Sequence, residues 1–211
     1  MKVELKHYTP LTVTDQAISK CWDKECDPNN PNTEKINRVA NKFKHKSTIE
    51  HLVYSFEIKG ISRAVLQELA RHRIASYSVK STRYTLKELK DEEPFNDYNN
   101  ELDFKRASKY LVWTGNHNVD ITVFFMLEDL RSLVKEGISN DIVKYALPES
   151  YKTELMWTIN ARSLQNFLEL RLDKSALWEI QNLAKEIYKS LPEDHKFLFE
   201  EIWNKKVKLK D

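Results

Sequence analysis

The sequence predicts an α+β fold, a small and mostly antiparallel sheet packed with several helices. Stretches with period-two alternation are short and far apart, at 51–59 and 151–159 with a candidate third at 2–8. Longer amphipathic stretches at helical spacing lie between and after them. The sequence shows neither an internal repeat nor a low-complexity segment. A chain of 211 residues, 41% of them hydrophobic, can bury roughly 70% of its unfolded surface in one core, so a single domain over 1–211 is expected.

In chain order, KVELKHY (2–8) is the candidate first strand. In HLVYSFEIK (51–59), Leu52, Tyr54, Phe56 and Ile58 alternate with Val53, Ser55, Glu57 and Lys59, the period of a strand with one face more buried than the other. Gly60 is expected to end it. Ser62 then has the character of a helix cap, and Val65, Leu66, Leu69 and Ala70 recur at helical spacing up to an RHR tripeptide at 71–73. A polar loop is expected to follow. ELDFKRASKYLVW (101–113) and NVDITVFFMLEDLRSLVKE (118–136) read as helices, the second stopped by Gly137, with the turn-rich DEEPFNDYNN before them. YKTELMWTI (151–159) alternates again. NARSLQNFLELR (160–171), SALWEIQNLAKEIY (175–188) and DHKFLFEEIW (194–203) read as amphipathic helices.

Composition removes several classes of function. With 34 Lys+Arg against 32 Asp+Glu the chain is nearly neutral, unlike a protein that coats a polyanion. The start, MKVELKHYTP, has no apolar stretch of the secretory kind, and ITVFFML (121–127) is too short to span a bilayer, so a soluble, cytoplasmic protein is expected. Cys21 and Cys26 lack a second pair at zinc spacing, which fits a reducing compartment better than a disulfide scaffold. Gly60, Gly115 and Gly137 are each isolated, so neither a Walker loop nor a GxGxxG turn can be built, and any phosphate must be held mainly by side chains.

The charge imbalance is local. From Leu69 to Lys87 there is no acidic residue, while Arg71, His72, Arg73, Lys80, Arg83 and Lys87 fall inside. The hydroxyls of Ser76, Tyr77, Ser78, Ser81, Thr82, Tyr84 and Thr85 accompany them, donors suited to phosphate oxygens. RHR alone reads as cations at a helix C-terminus, offsetting the macrodipole by about 0.3–1 kcal/mol. The acid-free, hydroxyl-rich continuation favours an anionic ligand. Further on, Asn160, Arg162 and Asn166 lie near the start of a helix and Arg171 near its end, although Asn160 taken alone is an ordinary helix cap.

RHR followed after seven residues by Ser is the spacing of the flavin-dependent thymidylate synthases, the ThyX family, which Arg71, His72, Arg73 and Ser81 satisfy and Arg83 and Tyr84 continue. HKSTIEH (45–51), NARSLQNFLELR, LP at 147–148 and WEI at 178–180 extend the resemblance over most of the chain. It implies FAD contacts from Ser47, with His45, Glu50 and His51 beside it, and from Arg71, His72, Arg73, Asn160, Arg162 and Asn166. It implies that Ser81, Thr82 and Arg83, with Glu68, Val79, Lys80 and Lys144, serve deoxyuridylate (dUMP), and that Arg171 contacts the uracil and favours its ionised form. The implied assembly is a homotetramer with sites shared between chains. The implied reaction is reductive methylation of dUMP to dTMP, with methylenetetrahydrofolate as carbon donor and NADPH as reductant through FAD.

Four positions depart from the family's habit. Ser78 and Val79 stand where Asn and Glu are common, Glu68 where Gln is usual, and Lys144 where an arginine is usual, keeping charge but losing the bidentate fork. His45, His51 and Glu50 do not make a tetrahedral set, so no metal is expected. Ser81 has no visible base to make it a nucleophile and is assigned to substrate binding. Cys21 and Cys26 lie outside every site motif, which leaves no candidate for attack on uracil by a thiolate. The alternative to a synthase is a non-catalytic nucleotide-binding or nucleic-acid-binding protein. The acid-free patch is short for the latter, and nucleic acid and membrane are not expected partners.

Overall fold

The computed structural model describes residues 1–207. The chain divides into two compact units. The first comprises Met1–Lys59, Glu68–Ser78 and the stretch from Met156, and the second comprises Gly60–Gln67 and Val79–Leu155. Four strands, β1 (Lys2–Tyr8), β2 (Val53–Ser62), β3 (Ala75–Val79) and β4 (Lys152–Asn160), form one sheet in the order β1-β2-β4-β3. β1 and β2 pair antiparallel, with Val3 opposite Ile58 and Leu5 opposite Phe56, and the register slips between Leu5 and His7.

In the first unit the alternation at 52–58 does what its period requires: Leu52, Tyr54, Phe56 and Ile58 are fully buried. Trp157 of β4 packs against Phe56 at 6.0 Å between ring centroids, and Phe167 meets Trp157 edge-on at 5.0 Å. Helices α1 (Leu11–Cys21), α2 (Thr33–Asn37), α8 (Ala161–Arg171), α9 (Trp178–Ser190) and α10 (Glu200–Lys206) belong to this unit. The expected helix at 194–203 is in fact two pieces, a 3₁₀ turn over Glu193–Leu198 and then α10. Neither α1 nor α2 was legible in the sequence. Asn32 caps α2 by accepting from the Lys35 amide at 2.8 Å.

The second unit has its own core of Leu86, Leu89, Phe95, Ala107, Leu111, Phe124, Leu127 and Leu130. It contains α4 (Thr82–Thr85), α5 (Glu101–Ala107), α6 (His117–Lys135) and α7 (Asn140–Val143). α6 matches the helix expected at 118–136, and Gly137, at φ 86°, leaves it through the left-handed region that glycine adopts without cost. Helix α3 (Arg63–Ala70) runs across the sequence boundary of the units. Its Ser62 cap is as expected, the hydroxyl accepting from the Val65 amide at 3.1 Å.

Three expectations are corrected. Gly60 does not end β2: it sits inside the strand at φ 71°, a kink that an achiral residue absorbs without termination. The polar loop after RHR becomes β3 from Ala75, an edge strand whose partly covered residues alternate without a hydrophobic run to announce it. The helix expected over 101–113 stops at Ala107 because the following residues find partners elsewhere in their unit. Leu111 bridges to Tyr151, the Val112 amide donates to the Ser150 carbonyl, and Trp113 Nε1 donates to Ser108 Oγ at 2.8 Å. Among the described residues no helix is long and apolar enough to cross a membrane.

Candidate active site

The first unit encloses an open cavity of about 920 Å³. Four segments converge on it: Glu50 from the 3₁₀ turn Lys46–His51, residues 71–74 after α3, the start of α8, and the chain from Leu170 to Ala176. α8 serves it by its period. Leu164, Phe167 and Leu168 are buried in the core, while Arg162, Asn166 and Leu170, spaced by four, line the cavity. Asn160 caps this helix, its Oδ1 accepting from the Ser163 amide at 2.8 Å, and it lines the cavity as well.

Arg171 is the most constrained cation of the group, with its side chain 13% exposed. Its Nε–H donates to His72 Nε2 at 3.0 Å, one terminal nitrogen donates to the Glu68 carboxylate at 2.7 Å, and the other to the Glu68 carbonyl at 2.9 Å. A guanidinium has five N–H donors, so these bonds leave one on each terminal nitrogen, a pair able to grip a planar acceptor. His72 lies edge-on to Phe167 at 5.0 Å, and its backbone carbonyl, like that of Leu69, accepts from the Tyr77 hydroxyl. Burial, and then the neighbouring Arg171 charge, pushes the His72 imidazole down to about 4, with Arg71 adding to the fall and Glu68 opposing it. The ring is therefore neutral near pH 7, as its role as acceptor from Arg171 demands.

Arg71 and Arg73 also line the cavity; the Arg71 side chain is 74% exposed and only 3.9 Å from a Glu68 oxygen. Glu50 pairs with Arg162 at 2.7 Å, both largely in solvent. His45 and Ser47 are exposed, on and before the turn that carries Glu50, and neither is part of the lining. The structure thus brings together Glu50, Arg71, His72, Arg73, Asn160, Arg162, Asn166 and Arg171. Ile74, Ser163, Leu170, Ser175 and Ala176 complete the lining without having been singled out in the sequence. A usable signal existed for Leu170, a leucine off the buried stripe of α8.

His51, at the end of the turn that carries Glu50, is exposed and also outside the lining; the remaining predicted residues lie in the second unit, apart from Glu68 at the base of Arg171. Val79 ends β3, and Ser81 precedes α4, its carbonyl accepting from Thr85 Oγ1 at 3.1 Å. Arg83 forks onto Asp141, at 2.6 Å through Nε and 3.2 Å through Nη2, with its side chain 57% exposed. Lys80 is 3.5 Å from Glu88 and 3.7 Å from Glu154, and with Thr82 it lines a smaller cavity of about 230 Å³. Lys144 lies in the short turn Lys144–Ala146, its ammonium 5.9 Å from the centre of the Tyr145 ring. The stretch that is acid-free in sequence is not so in space: Glu68, Asp141, Glu88 and Glu154 meet its cations from outside.

An α+β chain that gathers four cavity-lining arginines around one large opening, one of them half-buried and clamped, has the makings of an anionic-cofactor enzyme. Comparison with known proteins makes the class specific: residues 4–195 match the family described as thymidylate synthase complementing protein, and the chain belongs to it. The chain is 57% identical over 202 residues to the flavin-dependent thymidylate synthase of Wolinella succinogenes, covering 94% of this chain and 97% of that protein. It is 53% identical over 205 residues to that of Helicobacter pylori, covering 95% and 98%. It also resembles the crystal structure of thymidylate synthase X from Helicobacter pylori with FAD and dUMP, at a TM-score of 0.91 and 53% identity over 96% of this chain and 98% of that one.

Proposed function

We propose that this chain is a flavin-dependent thymidylate synthase that converts dUMP to dTMP by reductive methylation, taking the carbon from methylenetetrahydrofolate and the reducing equivalents from NADPH through FAD. The observation that carries this reading is the Arg171 clamp. A guanidinium fixed by His72 and Glu68, with two N–H donors to spare, is prepared to stabilise charge on the carbonyl oxygens of a uracil whose ring proton leaves.

The cavity suits FAD in size and charge. At about 920 Å³ it lies near the top of the range of about 300–1,000 Å³ usual for ligand pockets, and Arg71, Arg73 and Arg162 face an opening able to take a pyrophosphate. Arg71, His72, Arg73, Asn160, Arg162 and Asn166 would hold the flavin, with Glu50, His45 and Ser47 at its edge. When bound, it supplies the two-electron redox chemistry. Asn160 spends its amide oxygen on the helix cap, so its amide N–H groups are what it has left to offer. Ser81, Thr82, Arg83, Val79, Lys80 and Lys144 are assigned to dUMP. Arg83 must exchange Asp141 for a phosphate, an exchange favoured by its exposure and by the greater charge of the phosphate.

The family match runs through both compact units, which supports one synthase domain. Tyr84, Ile142 and Tyr145, 70%, 63% and 85% exposed, supply apolar surface for the further copies of a homotetramer with shared sites. Cys21 and Cys26 are both free, in keeping with a cytoplasmic protein. The decisive experiment is to purify the protein with FAD, look for a yellow spectrum that NADPH bleaches, and assay dTMP from dUMP and methylenetetrahydrofolate. A folded protein that takes up neither FAD nor dUMP would overturn the reading.

A further inference from the structure

The first unit holds a second cavity, of about 410 Å³. Arg162 and Asn166 line both openings, so a molecule seated in the second reaches the edge of the first. Its wall includes Lys44, Lys46 and Lys205, with Glu169 and Glu201. Lys205 is already paired with Glu169 at 3.1 Å. Lys44 and Lys46 enter no ion pair among the described residues, which leaves two uncommitted cations against the single uncommitted carboxylate of Glu201.

Two further features mark the cavity as built. Gln165 lines it at 3% exposure; its Nε2 donates to Asn41 Oδ1 at 3.2 Å and to the Leu198 carbonyl at 2.6 Å, while its buried Oε1 accepts from no described residue. That oxygen has almost no free surface, so Gln165 braces the wall of the cavity between Asn41 and Leu198. Lys44 is held at φ 57°, a left-handed backbone that a lysine rarely adopts, just after Phe43 closes the π-helical turn Arg38–Lys42. The chain is fixed there by the His45 amide, which donates to the Val39 carbonyl at 3.0 Å.

The geometry points to a subsite for the anionic tail of a co-substrate, a carboxylate- or phosphate-bearing group held by Lys44 and Lys46 at the mouth that Arg162 and Asn166 share with the larger cavity. This inference rests on the synthase reading above. Both co-substrates of that reaction fit the chemistry: the folate carries glutamyl amides and carboxylates, NADPH carries an aminopurine and phosphates, and in each the anionic end lies far from the reacting atom. Contacts to such a remote group that are equally strong in the ground and transition states lower the concentration needed for saturation without changing the chemical step.

The test uses the FAD-loaded protein and the double variant Lys44→Asn, Lys46→Gln, asparagine being tolerant of the left-handed backbone. Bleaching of the flavin by varied NADPH isolates one half-reaction. Reoxidation of the reduced enzyme with dUMP and varied methylenetetrahydrofolate, bearing one or several glutamates, isolates the other. The half-saturating concentration should rise about threefold to tenfold in one of the two, as expected for two exposed ionic contacts, with the limiting rate held within about twofold. The half-reaction that moves identifies the tail. Unchanged half-saturation in both, or a loss of limiting rate alone, overturns the proposal.

Should the variant fail to retain FAD, the unmodified enzyme decides. Raising salt from about 50 to about 300 mM should raise the same half-saturation through screening, and a flat response overturns the inference. A wild-type protein that neither holds FAD nor methylates dUMP brings down the synthase reading and this proposal together, a failure seen before any variant is made.

Discussion

Arg171 in the first unit and Arg83 in the second make a controlled comparison. Each is a motif arginine, and each is paired with one carboxylate, Glu68 or Asp141. They differ in setting. Arg171 is 13% exposed and held at all three nitrogens by one imidazole, one carboxylate and one carbonyl; Arg83 is 57% exposed and bonded to Asp141 alone. Removal from water strengthens a charge interaction and makes an unpaired partner costly, whereas an exposed pair contributes only about 0.2–1 kcal/mol. Arg171 is therefore a fixed charge, suited to acting on a reacting ring, and Arg83 is an exchangeable one, suited to catching a phosphate.

The largest effect that could break this contrast is at Arg171. Arg171→Ala should lower kcat by about 10²–10³-fold, the usual cost of losing a preorganised donor, while flavin absorbance is retained. Turnover near the wild-type rate in that variant would remove the distinction. Next comes Glu68. Glu68→Ala should destabilise the protein by about 1 kcal/mol in urea unfolding, because Arg171 loses its charged partner while keeping the backbone carbonyl, and Glu68→Gln should restore most of it. Equal losses from both variants would mean that the carboxylate is not what holds the clamp.

A smaller effect follows from His72. A histidine whose folded pKa lies below its unfolded value contributes stability that is complete above about pH 6.5 and is lost as pH falls toward about 4, because the unfolded chain binds the proton first. His195, also lowered by burial, adds in the same direction. Melting temperature should fall across that window, and His72→Gln should flatten part of the slope; an unchanged slope in the variant would assign the whole effect to other groups. The smallest change belongs to Arg83. Arg83→Gln should shift stability by less than about 1 kcal/mol yet raise KM for dUMP, and a clear drop in melting temperature would show that its pair with Asp141 is structural.

How much of this was legible in the sequence varied with the kind of signal. The buried face of β2 and the helices α6 and α8 follow from hydrophobic period alone, since Tyr54, Phe124 and Phe167 must leave water wherever the rest of the chain goes. The edge strand β3 could not be read in the same way, because Ser76 and Ser78 need only hydrogen-bond partners and those are supplied from β4. At the site, the RHR turn and Asn160, Arg162, Asn166 and Arg171 do share one cavity. The partners of the cations were invisible: Asp141 lies 58 residues from Arg83, and His72 lies 99 from Arg171. Local charge counting reads a neighbourhood in sequence, whereas electrostatics acts through space.

The acceptor role of His72 Nε2 has one more consequence. A neutral imidazole carries a single proton, and with Nε2 receiving the Arg171 N–H that proton resides on Nδ1. The ring thereby acquires a direction, a lone pair turned toward the guanidinium and a polarised hydrogen at the other nitrogen. Such a group can greet an electron-rich oxygen without adding formal charge to a crowd of arginines, and the flavin contact proposed for His72 would be made by the same tautomer that steadies Arg171.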